Sequence, residues 1–94
     1  MLMRARIVDV FDLGAEGVVI TFGADKRMRS HMGVGTIVSI VDRDGNATPR
    51  KVVRCGIIGR TEFETGEGLK NIGVVLEGIE SVEDVPDDAI VRID

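Results

Sequence analysis

Tryptophan and tyrosine are absent, and Phe11, Phe22 and Phe63 are the only aromatic residues. A core built from this chain must therefore be aliphatic, made mainly of Val, Ile, Leu and Met. The single cysteine, Cys55, cannot close an internal disulfide, which excludes a disulfide-stapled scaffold. With only one histidine, His31, beside it, no zinc-ligand spacing exists and no metal site is expected. No apolar run approaches the ~20 residues that a membrane helix needs, so no membrane span is expected. The opening Met1-Leu2-Met3-Arg4-Ala5-Arg6 lacks the apolar stretch of a secretory signal. These absences together point to the cytoplasm.

What remains is a chain of 94 residues, 44% hydrophobic and 30% charged, which fits one folded domain spanning 1–94 and argues against disorder. The net charge of −4 conceals an asymmetry. Residues 1–60 hold ten Lys/Arg against six Asp/Glu, whereas residues 61–94 hold two against ten. Solubility accounts for such a surface, and so does a basic region kept for an acidic partner.

No window carries helical periodicity; short β-branched runs broken by glycine recur instead, as in all-β barrels and sandwiches. The runs are 4–11, 18–22, 36–41, 51–58, 71–76 and 89–93. Asp42-Arg43-Asp44-Gly45-Asn46 is a turn signal between the third and fourth, because Asp, Asn and Gly tolerate positive φ. Pro49 fits the start of the fourth strand, where no ladder donor is needed. Ser81-Val82-Glu83-Asp84 reads as a capped single turn. Six strands in a chain this short predict an all-β, six-stranded, antiparallel closed β-barrel, since closure removes the edges of a small sheet. Uninterrupted runs such as Val18 to Ile20 and Val74 to Leu76 predict strands covered on both faces, with some outward apolar residues left to meet a partner.

The order of these motifs resembles the second domain of elongation factor Tu-like translation GTPases. Asp9-Val10-Phe11 resembles that domain's first strand, and Gly17-Val18-Val19-Ile20-Thr21 its second. Val34-Gly35-Thr36-Ile37-Val38-Ser39-Ile40 is similar to its valine-glycine opening followed by alternating valine and isoleucine. The most specific piece is Leu69-Lys70-Asn71-Ile72-Gly73-Val74-Val75-Leu76-Glu77-Gly78-Ile79, similar to the family's asparagine-valine-glycine-valine-leucine-leucine-arginine-glycine segment. The likeness runs over about residues 5–93. It implies a barrel of the translation-factor second-domain type, which contacts a GTPase domain, the ribosome or the end of aminoacyl-tRNA. Asn71 matches the family's asparagine. Ile58 stands where the family has a glutamate, Glu16 where it often has arginine, and the 23–30 loop is longer. Losing the carboxylate predicts no specific binding of aminoacyl-tRNA, and a structural role for Asn71.

Chemical motifs are sparse. A phosphate loop ending in Lys and Ser/Thr is missing, and Gly33-Val34-Gly35 lacks the third glycine of a dinucleotide fingerprint. No cofactor is expected. Asp42, Asp44 and Asn46 share the first alternating spacings of a calcium loop, but the glycine is misplaced and Val53 occupies the final ligand position, so a hairpin turn is expected. Cys55, flanked by Val52, Val53 and Ile57, is expected to be a buried, inert thiol. Glu62, Glu64 and Glu67 are expected in a solvated acidic loop. With no nucleophile, base and oxyanion donors in view, no catalytic residue is assigned and an enzyme is not expected.

The strongest candidates for partner binding are the basic loop residues Lys26, Arg27, Arg29 and His31, together with Asn71; Arg50, Lys51, Arg54 and Arg60 could extend the cluster. The loop 23–30, rich in like charges, is expected to be the most mobile internal segment. No aromatic residues interleave with the basic ones, which argues against stacking on single-stranded nucleic acid. The expectation is a stand-alone, non-catalytic binding module for a protein partner. An RNA- or ribosome-contacting translation accessory protein and a small structural homo-oligomer are the alternatives.

Overall fold

A computed structural model describes residues 2–57 and 70–93. Each β-branched run becomes a strand: β1 (Met3–Asp12), β2 (Val18–Ala24), β3 (Ile37–Val41), β4 (Ala47–Ile57), β5 (Lys70–Leu76) and β6 (Ile90–Ile93). They close an antiparallel barrel in the order β1-β2-β5-β4-β3-β6, with β6 returning to β1. The expected closed six-stranded barrel is therefore the observed architecture. Among the described residues, no helix is long and apolar enough to cross a membrane.

Alternation along the strands fills the interior. Ile20, Phe22, Val38, Val52 and Val91 are wholly inaccessible, and Val18, Val74 and Leu76 nearly so. Aliphatic residues supply almost all of this core, with Phe22 as its one ring among the described residues. The Asp42–Asn46 turn makes the β3–β4 hairpin. The Asp42 carboxylate accepts the backbone N–H groups of Asp44 and Asn46, each at 2.9 Å, and Gly45 takes φ +88°. These bonds, led by that from Asn46, hold the Asp42 carboxyl below its ordinary value. The carboxylate is thus committed to the turn.

Two expectations need adjustment. Pro49 lies inside β4, opposite Ser39 of β3, and not at its start. It is tolerated because β5 joins β4 only from Val52 onward, so among the described residues one edge of β4 has no ladder at Pro49. The 23–30 segment is not a loop. Gly23 and Ala24 finish β2, and α1 (Lys26–His31) follows. Asp25 caps that helix, accepting the Met28 N–H at 2.7 Å, and Met28 buries its side chain in the core. A helix anchored at both cap and core gives no structural basis for singling this segment out as the most mobile.

Candidate functional site

The basic residues of α1 do not act as one cluster. Lys26 and Arg27 are exposed. Arg29 is half-buried and turns back, its Nη1 donating to the Ala24 carbonyl at 2.7 Å. His31 is exposed, but its Nδ1 lies 2.9 Å from the Arg27 carbonyl oxygen, a bond that requires the Nδ1–H form. Asn71, also exposed, pairs with Gly23 across β2 and β5, so it sits at the barrel end from which α1 departs. The other cations are dispersed. Lys51 faces Ile37, Arg54 faces Val75, and Arg50 reaches the Glu77 carbonyl at 3.4 Å. Arg60, Ile58, Phe63 and the Glu62, Glu64 and Glu67 carboxylates lie outside the described residues.

A different surface is built by strand register. Phe11, Val19, Val75 and Arg54 stand opposite one another across β1, β2, β5 and β4. Paired residues share a face, and Arg54 and Phe11 are exposed, so this row lies on the outer wall. The next row in the same direction is Asp9, Thr21, Gly73 and Gly56. Gly73 and Gly56 contribute no side chains, and the wall is dented there by a hollow of about 220 Å³. Val19 and Val75 are half-buried beside it, and Leu13 and Glu16 overhang it from the turn between β1 and β2. That turn is drawn close by Gly17. Its φ is +98°, and an added Cβ would lie 3.1 Å from Cγ1 of Val75.

The hollow is chemically quiet. Its flanking charges, Glu16 and Arg54, are of opposite sign, and its remaining wall is largely aliphatic. Among the described residues, no three His, Cys, Asp or Glu side chains are grouped to hold a metal ion. Cys55 borders the hollow and is exposed, which corrects the expectation of a buried thiol. A bulge at Val53 shifts the β4–β5 register and sets Cys55 opposite core-facing Val74, but this end of β4 is exposed on both faces. Beyond it, Arg54, Cys55 and Gly56 are all exposed, although local desolvation still pushes the thiol above its ordinary pKa.

The flat valine runs hinted at this wall, since Val19 and Val75 are the middle residues of the runs expected to be covered on both faces. The pairing of Gly56 with Gly73 could not be read without knowing the strand order. No protein-family model matches the chain, and no curated protein or solved structure matches it either.

Proposed function

We propose that this barrel is of the translation-factor second-domain type and works in the cytoplasm as a non-catalytic binding module for a protein partner. The observation that carries this reading is the outer-wall hollow. Leu13 and Phe11 remain 50% and 44% exposed at its margin, although the barrel has already filled its interior with aliphatic side chains. An apolar hollow with balanced flanking charges suits an apolar anchor of a protein better than a phosphate backbone, which calls for a positive surface. Recognition of an aminoacyl end is not part of the proposal, because Ile58 takes the place of the family's carboxylate.

A second reading, contact with RNA or the ribosome, is favoured by exposed Lys26 and Arg27 on a helix pinned by Met28. Affinity capture from the native host's lysate, with and without nuclease, separates the two. The proposal expects a captured protein that survives nuclease and is lost from the Phe11→Glu and Leu13→Glu variants. Capture abolished by nuclease, or by Lys26→Ala with Arg27→Ala but not by the wall variants, would overturn it. A stable dimer that occludes the wall, without any other ligand, would favour a structural homo-oligomer.

A further inference from the structure

β1 changes partners along its length. Met3 to Arg6 pair with Ile93 to Ile90 of β6, and Ile7 to Asp12 pair with β2. Because β6 begins at Ile90, opposite Arg6, the far edge of β1 from Ile7 onward has no strand beside it among the described residues. The chain from Val82 to Ala89 lies there instead, and between the two runs a groove of about 1050 Å³. That volume is at the upper limit of small-molecule sites, ~300–1,000 Å³, and suits a stretch of polypeptide.

Among the described residues, no backbone group of another segment bonds to this edge. Leu13 N–H donates to Gly17, towards the β2 side, so strand alternation turns the backbone groups of Val10 and Asp12 away from β2. The Val10 N–H is occupied by a side chain of its own strand, bonding to Asp9 Oδ1 at 3.1 Å. A carboxylate stands where a neighbouring strand's carbonyl would be. Val8, bulged out of the ladder, is 63% exposed, and Val82 across the groove is 41% exposed, giving apolar anchors on both walls. Asp9, Glu83, Asp87 and Asp88 border the groove against a lone Arg6, and Asp88 is the one non-glycine residue with positive φ, +59°, among those described.

We infer that this groove takes an extended, lysine- or arginine-bearing segment of a partner protein, which adds as a strand along the free edge of β1. The inference deepens the protein-binding reading by naming a second contact and its chemistry. The incoming backbone replaces Asp9 as the acceptor for Val10 N–H, and its basic side chains take up the released carboxylate and the rest of the acidic rim. Alternate apolar residues meet Val8 and Val82.

The test uses three synthetic eight-residue peptides, alternating valine–lysine, serine–lysine and valine–glutamate, titrated into the labelled full chain by heteronuclear NMR. The valine–lysine peptide is expected to give saturable shifts at residues 7–12 and 82–90, slow the exchange of the Val10 and Asp12 amides, and weaken with added salt. Serine–lysine and valine–glutamate should bind at least tenfold more weakly, as should valine–lysine to the Asp9→Asn, Glu83→Gln, Asp87→Asn variant. Equal binding of both lysine peptides would mean unspecific charge attraction and overturn the inference. So would shifts confined to the outer wall at Leu13 and Val75, an outcome that would leave the wall-based proposal standing. Concentration-dependent shifts of the groove without peptide would assign it to a second copy of this chain and also overturn the inference.

Discussion

β2 and the second half of β1 are adjacent strands under opposite constraints. β2 is laddered on both edges, to β1 and over six residue pairs to β5, and it buries Val18, Ile20, Phe22 and Ala24. Among the described residues, β1 from Ile7 to Asp12 is laddered on one edge, bulged at Val8, and largely exposed on its outer face. Stability is thus concentrated in the β2–β5 side, while the β1 side keeps backbone and apolar surface for contact. Such unevenness is how a small domain holds a fixed shape yet presents an unfinished edge.

The largest expected effect breaks or upholds that contrast directly. Phe22→Ala, on β2, should lose ~3–5 kcal/mol in chemical denaturation, because the cavity lies where both ladders hold the backbone. Val8→Ala, on the β1 bulge, should stay within about 0.5 kcal/mol. Similar losses at the two sites would mean that the strands carry the fold equally. Next in size is Gly17→Ala, expected to cost ~1–3 kcal/mol from its positive φ. It should also perturb Val75 by NMR, since the new methyl meets that side chain. Asp25→Ala removes the cap of α1 and should cost about 1 kcal/mol in the same denaturation assay. Its amide shifts should be confined to α1 and the residues around Met28.

The smallest effect is on pH dependence. Backbone N–H donors, Glu80 first and then Ser81, hold the Asp84 carboxyl below its ordinary value, as Asn46 does for Asp42. The folded state therefore binds these protons less readily than the unfolded chain. Their stabilisation is complete above the ordinary aspartate value of ~3.9 and is lost as pH falls through the lowered folded values. Melting temperatures should be flat from about pH 6 to 5 with respect to these groups and decline below about pH 4. Asp84→Asn should lessen that decline, and an unchanged slope would remove the turn from the account.

Much of the barrel was legible because its signals are local. Val18 to Phe22 and Asn71 to Leu76 are β-branched runs, and Asp42 to Asn46 carries turn chemistry that needs no tertiary help. Helix α1 was hidden because six residues are too few to show a period, and what stabilises it is Asp25 at one end and Met28 beneath. Cys55 was misread because its apolar neighbours Val52, Val53 and Ile57 suggest a covered strand, whereas both faces of β4 are exposed from Val53 to Gly56. The basic candidates were legible as charges but not as a surface, since Arg29 and His31 bond to their own backbone. The outer hollow and the β1 groove depend on which strands become neighbours, which no local pattern states.

Residue-resolved amide hydrogen exchange of the free protein tests the contrast most directly. The account predicts slow exchange for Ile20, Phe22 and Val74 in the doubly laddered strands, and fast exchange for Val10 and Asp12 on the open edge of β1. Protection of Val10 and Asp12 equal to that of Ile20 and Val74 would mean that this edge is already covered, and would contradict it.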